Sequence, residues 1–323
     1  MELEEIDHHF PRLYCERFKS LLILKPVFSI TMIDLHSHSS ASDGQLSPTA
    51  LAGYAAGKGL SVWALTDHDT VDGLRDAARA CIEHNIIFSP GIELNIQWQS
   101  GEFHLLGHAL RRLSPALKTT IDYLTESRRN RNLEIIDKMR KDGIEVSLDE
   151  LEQKYATTQI GRPHFASHLM EIGKIKHRQE AFDRFLGKGR PWYVEHAGEN
   201  LEVAVEAIKT SGGVPVIAHP LSLYVGWSHM EETIASIKEQ GVEGLEAWHP
   251  AARVGEAMRL EELAKKLGMF VTAGSDWHGK GVRADRHLGR TSGDKKIDDR
   301  FWFEELYPHL GDFDFTKTEW ATE

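Results

Sequence analysis

Met32-Ile33-Asp34-Leu35-His36-Ser37-His38 opens the regular part of this chain: a short apolar run breaks off in two histidines one residue apart. Ser47-Pro48 then supplies an N-cap and a proline for the first helical position, and Gly59 closes the helix after Lys58. Working outward, the cycle repeats. Ser61-Val62-Trp63-Ala64-Leu65 reads as a second strand ending at Thr66-Asp67-His68-Asp69, with a helix from Val71 to His84 behind it. Ile86-Ile87-Phe88-Ser89 reads as a third, ending at Gly91-Ile92-Glu93, and Glu102-Phe103-His104-Leu105-Leu106 as a neighbouring strand. From Ser114 to Arg190 the rhythm stops. Leu133, Ile136, Met139 and Arg140 recur at helical spacing there, Gly143 is a stop, and Leu148 to Tyr155 starts another helix. The alternation resumes with an Asn200-capped helix to Lys209 and a strand from Val214 to Ala218 ending at His219-Pro220. A strand from Gly244 to Trp248 ends at His249-Pro250, a helix covers Val254 to Leu267, and a strand from Met269 to Ala273 ends at Gly274-Ser275-Asp276-Trp277-His278.

Strand–helix alternation implies parallel strands with helical crossovers. About seven strands predict an α/β fold, a distorted (β/α)7 TIM-like barrel carrying a helical insertion. The expected organisation is an N-terminal extension over 1–31, a barrel from 32–113 and 191–289, the insertion over 114–190, and a C-terminal segment over 290–323.

Composition narrows the function classes. The 323 residues carry 49 acidic against 38 basic side chains, a formal charge of -11, together with 18 histidines, which disfavours a protein that coats duplex DNA through its phosphates. No G-x-G-x-x-G or P-loop pattern is present, and Gly57-Lys58-Gly59 closes a helix instead of opening one. Cys15 and Cys81 have no CxxC spacing, as in a reduced chain. The apolar stretch Leu21 to Ile33 is broken by Lys25 and Pro26 and falls short of the about 20 residues of a membrane helix. Glu2, Glu4, Glu5 and Asp7 are unlike a secretory leader, so no membrane association and a cytoplasmic location are expected.

The histidines fall where the strands end: His36 and His38, His68, His104, His219, His249 and His278, with Glu93 and Asp276 among them. In a barrel those ends converge on one face. His-x-His on a strand presents both imidazoles to the same side, because the period is two, and Asp276-x-His278 repeats the arrangement. A mixed imidazole and carboxylate set suits zinc, manganese or iron, not a thiolate-type structural site. His8, His9, His84, His168, His177, His196 and His229 fall on helices, loops or the extension and read as ordinary polar residues; Trp63, Trp98, Trp248 and Trp277 read as packing aromatics. His108 is either a supporting residue or uninvolved.

Asp34-Leu35-His36-Ser37-His38 followed by Ser42-Asp43-Gly44, then Leu65-Thr66-Asp67-His68-Asp69, Gly91-Ile92-Glu93, Phe103-His104, Ala218-His219-Pro220 and Gly274-Ser275-Asp276-Trp277-His278 resemble the PHP (polymerase and histidinol phosphatase) superfamily from Met32 to about Gly289. Gly161-Arg162-Pro163-His164-Phe165-Ala166 and Gly187-Lys188-Gly189-Arg190-Pro191 add similarity to its branch of 3′,5′-nucleoside bisphosphate phosphatases and 5′-to-3′ exoribonucleases of the RNase AM type. The resemblance implies a trinuclear centre of divalent ions, manganese, zinc or iron. One ion would be held by His36, His38, Glu93 and Asp276; Glu93 would bridge to a second on His104 and His219; a third would take Asp43, His68 and His278. It gives Glu93, Asp276 and His249 catalytic roles, His249 as general acid or phosphate contact, and makes Asp34 and Asp67 groups that orient imidazoles, with Asp69 either such a group or a strand-end cap. Arg162, His164, Lys188 and Arg190 become substrate-binding residues on an insertion that serves as a lid. The basic run Arg128-Arg129-Asn130-Arg131 has two readings, a solvated helix face or a guide for a short single strand of RNA. The implied activity is removal of the 3′-phosphate from 3′,5′-nucleoside bisphosphates, with trimming of short RNA. The alternatives are a phosphomonoesterase of the histidinol-phosphate kind, an amidohydrolase cutting C–N bonds, and a non-catalytic metal-stabilised module.

Overall fold

β1 (Met32–Asp34), β2 (Leu60–Leu65) and β3 (Ile87–Pro90) form a parallel sheet in that order, with α1 (Pro48–Lys58) and α2 (Leu74–His84) as crossovers. The computed structural model describes residues 31–195 and 197–322, so the extension expected over 1–31, with Cys15, lies outside the described residues apart from Thr31. Ser47 caps α1 by accepting from Ala50 N, and Gly59 ends it at φ 78, a conformation that costs glycine little.

At Gly91 the chain changes sheets. β3 ends at Pro90 and β4 (Ile92–Ile96) begins two residues later, paired not with β2 but with β5 (Phe103–His108). A Cβ on Gly91 would lie 2.8 Å from Thr66 Cγ2 and 2.9 Å from the Gly107 carbonyl oxygen, so only glycine lets the chain pass. The second sheet runs β4-β5-β6-β7-β8, where β6 is Val214–Ile217, β7 Gly244–Trp248 and β8 Phe270–Ala273.

Two expectations are corrected here. β5 lies antiparallel to both neighbours, and against β4 this follows from the 97–102 connection, which is too short for a crossover helix. The strands also do not close into one continuous barrel. They divide between two sheets that meet at isolated bridges, Ser37 with Trp277 and His68 with Glu93. Reversal of β5 explains how His104, near the start of its strand, arrives at the face where the other strands end. His108 is carried to the opposite end, buried, with neither ring nitrogen hydrogen-bonded. The C-terminal segment, with the short antiparallel pair β9 (Arg290–Thr291) and β10 (Lys295–Lys296), closes against β1 through Ile33 N to Ile297 O, 3.2 Å.

Between β5 and β6 the described chain is helical: α3 (Pro115–Lys141), α4 (Leu148–Tyr155), α5 (Arg162–Glu171) and α6 (Arg178–Ala181). Ser114 caps α3, and Ser147 with Glu150 forms a capping box on α4. Ile135, Met139, Ile160, Phe165, Leu169 and Trp192 build a core of their own here. Phe165→Ala is expected to cost about 3–5 kcal/mol in urea unfolding; a loss below about 1 kcal/mol would show that these helices do not depend on that core. No helix among the described residues is long and apolar enough to cross a membrane.

Candidate metal centre

Backbone geometry at the strand ends decides where the ligand-type side chains go. The segment after β1 is zipped to the segment after β8 by Asp276 N to His36 O and His38 N to Trp277 O, both 2.9 Å. With the chain extended, His36 and His38 point the same way and their Nε2 atoms approach to 3.1 Å. Asp69, His219 and Asp276 take positive φ values of 52, 26 and 52°, strained corners that turn the chain sharply at the edge of the site.

Glu93 stands at the centre, fully buried. Its Oε2 lies 3.3 Å from His36 Nε2, 3.2 Å from His38 Nε2 and 3.1 Å from His68 Nδ1. Its Oε1 lies 3.0 Å from His104 Nδ1 and 2.9 Å from His219 Nε2. Asp276 Oδ1 is 3.5 Å from His38 Nε2, and Asp43 Oδ1 is 3.2 Å from His278 Nε2. Donor atoms of His38, Asp43, His68 and His278 fall within 4.8 Å of one another, as do those of His36, His38 and Asp276, and those of His68, Glu93 and His104. All nine residues expected as ligands are thus gathered in one place.

Their chemistry fits divalent cations. Ligands about 2.0–2.2 Å from one tetrahedral ion lie about 3.3–3.6 Å apart, close to the spacings seen here. Glu93 Oε2 and Asp43 Oδ1 are buried acceptors with no hydrogen-bond partner, an arrangement that is costly without a cation to face. Charge balance agrees. Burial alone would raise the Glu93 carboxyl, yet His68, His36 and His104 hold it well below the usual range. Asp43 and Asp276 are likewise held low against their burial, each chiefly by His278. His36 and His38 are raised against their burial, His36 by Glu246 and Glu93, and His38 to about 10 by Asp276 and Glu93. The carboxylates demand positive charge among them, which protons supply on the imidazoles and metal ions would supply better.

The residue that sequence reasoning missed is Glu246. Buried on β7, it accepts from His36 Nδ1 at 3.0 Å through Oε1 and from His219 N at 2.8 Å through Oε2. Asp34 and Asp67 were expected to orient imidazoles, and Asp69 either to do so or to cap its strand end; none of the three hydrogen-bonds an imidazole ring among the described residues. Asp34 accepts from the backbone of His36, Ser275 and Gly289, and Asp67 from Ser39 and Ser42. Asp69 accepts from Asn95 N and pairs with Arg128. They shape the loops. The rings are held instead by Glu246, by Ser222 Oγ on His219 Nδ1 at 2.8 Å, and by the Asp276 carbonyl on His278 Nδ1 at 2.9 Å. His249 Nδ1 accepts from Ala251 N, which leaves its proton on Nε2, donated to Asp276 Oδ2 at 3.2 Å. Trp277 packs on Tyr54, ring centroids 5.5 Å apart.

The helical segment reaches the site unevenly. Arg129 is a surface residue paired with Glu152, but Arg128 and Arg131 are buried, which removes the solvated-face reading for those two. Arg128 bonds Asp69. Arg162 pairs with Glu102 at 2.7 Å on the rim. His164 is buried and its Nδ1 accepts from Gly161 N at 2.9 Å; burial lowers its pKa to about 4 and leaves the ring neutral. Lys188 and Arg190 are exposed, and neither side chain makes a hydrogen bond or ion pair among the described residues.

Residues 34–212 match the family described as PHP domain. A 5'-3' exoribonuclease of Haemophilus influenzae is 33% identical over 76% of this chain and 89% of its own length. A 3',5'-nucleoside bisphosphate phosphatase of Chromobacterium violaceum is 33% identical over 80% of this chain and 91% of its own length. A solved structure described as a metal-dependent phosphoesterase, from Bifidobacterium adolescentis, superposes with a TM-score of 0.75 at 28% identity, covering 85% of this chain and 95% of that one.

Proposed function

Because this chain belongs to the PHP domain family, we propose that it is a metal-dependent phosphoesterase that removes the 3′-phosphate from 3′,5′-nucleoside bisphosphates and also trims short 5′-phosphorylated RNA from its 5′ end. The observation that carries this reading is Glu93, whose two oxygens face two different sets of imidazoles and so suit a carboxylate shared between ions. Three ions of manganese, zinc or iron would be held as the resemblance implies: one by His36, His38, Glu93 and Asp276, one by Glu93, His104 and His219, one by Asp43, His68 and His278. When bound, such ions lower the pKa of water to near neutrality and neutralise the charge of a phosphoryl group.

The remaining work falls to the chain. The strands fix the ligands, and Glu246 holds His36 in the tautomer that offers Nε2 to the ions. His249 carries a proton on Nε2 at the edge of the centre, from where it can be delivered to the departing alkoxide. Arg162 sits within reach of a phosphate that displaces Glu102, and neutral His164 can donate through Nε2. The helices over 114–190 act as a lid tied down by the Arg128–Asp69 pair; Lys188 and Arg190 lie on its exposed outer loop, free to meet phosphate. None of the strands β1 to β8 contains a lysine, which favours phosphate ester chemistry over a lysine-bridged C–N hydrolase.

Manganese-loaded protein should release phosphate from adenosine 3′,5′-bisphosphate and nucleotides from a short 5′-phosphorylated RNA, with histidinol phosphate and a simple amide left intact. Absence of product from the first two would overturn the proposal.

A further inference from the structure

We infer that Arg286, with Arg283 beside it, is a positioning residue of the metal centre: the pair keeps Asp276 Oδ2 away from the ions, so that Asp276 would ligate through Oδ1 alone. The inference rests on the phosphoesterase reading of the same centre and deepens it.

Asp276 divides its neighbours between its two oxygens. Oδ1 lies 3.4 Å from His278 Nδ1, 3.5 Å from His38 Nε2 and 3.8 Å from His36 Nε2, all three on residues expected as ligands. Oδ2 has a different set: His249 Nε2 at 3.2 Å, and Arg283 Nη1 and Arg286 Nε both at 3.9 Å. Arg286 is only 5% exposed, and its Nε is buried without a hydrogen-bond partner. Its Nη1 pairs at 3.6 Å with Asp285, an exposed side chain whose charge water screens. A buried guanidinium needs a buried counter-charge, and Asp276 is the buried carboxylate within ion-pair distance of it.

The arginines are held in place by their loop. Residues 279–289 follow the Asp276-Trp277-His278 end of β8, and they are pinned by Gly281 N to Gln45 Oε1 at 3.1 Å and Gly289 N to Asp34 Oδ2 at 2.7 Å. Between these points the chain turns on itself, with Arg283 N to Gly279 O at 2.8 Å and Arg286 N to Arg283 O at 3.2 Å.

A carboxylate with both oxygens free can grip one ion with the two of them. At Asp276 an imidazole N–H and two guanidiniums compete for Oδ2, and their positive charge disfavours a cation at that oxygen. An ion on His36, His38 and Glu93 would then be held less tightly by Asp276 and keep a position for a phosphate oxygen. Glu246 works in the opposite sense: it strengthens one ligand, whereas the arginines restrain another.

The test is metal binding by the full chain, measured by calorimetry with manganese chloride. Arg286→Gln should bind manganese about tenfold more tightly than wild type, Arg283→Gln should shift the same way by a smaller factor, and Arg286→Lys, which keeps the charge, should stay within about twofold. At saturating metal, Arg286→Gln should also raise KM for adenosine 3′,5′-bisphosphate about tenfold, because Asp276 Oδ2 then competes with substrate. Unchanged or weaker manganese binding in Arg286→Gln overturns the inference. So does an Arg286→Lys protein that binds like Arg286→Gln, since the charge would then not be the cause. A structural role would instead lower the Tm of the metal-free protein and loosen metal binding together, and that result also overturns it. If Arg286→Gln does not fold, half-exposed Arg283 decides the matter, and unchanged affinity in Arg283→Gln overturns the inference. Wild-type protein that binds manganese but hydrolyses neither bisphosphate nor RNA would defeat the phosphoesterase reading, while the affinities still decide the role of Arg286.

Discussion

Glu93→Gln should abolish turnover, by about a thousandfold or more, even at saturating metal. The substitution keeps size and shape and changes two things. It removes a negative charge that faces five imidazole nitrogens within 3.3 Å, and it turns one oxygen into an N–H donor, which no cation can use. Excess manganese cannot repair this, because the missing group is the one shared between two sets of donors. Turnover measured alongside metal content by mass spectrometry checks the expectation. Near-normal activity would refute the assignment of Glu93 as a shared ligand.

Glu246→Gln should act differently, lowering metal affinity about 10- to 100-fold while leaving a deficit that added metal repairs. Glu246 makes no contact with the proposed ions. It sets the tautomer of His36 and holds the backbone of His219, one residue from each half of the Glu93 environment. Gln can keep one of these bonds and loses the charge that makes His36 a better donor. A metal-activation curve shifted to higher concentration, with the plateau within a few-fold of wild type, is the expected outcome; an unshifted curve would remove Glu246 from the role.

Much of this cluster was legible because its ligand-type residues travel in short pairs. His36 with His38 and Asp276 with His278 carry their geometry in their spacing, since alternate residues of an extended chain share a face. Glu246 had no partner in sequence, though a signal existed: a carboxylate between Leu245 and Ala247 in an apolar strand is costly to bury and therefore has an occupation. Arg128 and Arg131 were hidden in a run of charge that resembles a wetted surface. Their spacing from Leu124 and Ile135 places them on the buried stripe of α3, and periodicity outranked composition. The direction of β5 could have been taken from the length of the connection before it. The division into two sheets could not, because it depends on a close approach at Gly91 to Leu65 and Thr66 at the end of β2 and to Gly107 of β5, which are distant in sequence.

That crossing has a mechanical consequence. Ile87 to Ile96 is one continuous run of chain belonging to both sheets, and Glu93 lies two residues past the point of transfer. Any sliding of one sheet against the other must pass through Glu93, and the donors on either side of it come from different sheets: His36, His38 and His68 follow strands of the first, while His104, His219 and Asp276 belong to the second. A cation held as proposed would therefore be a rivet across the joint, and holding ions and holding the two sheets in register would become a single equilibrium.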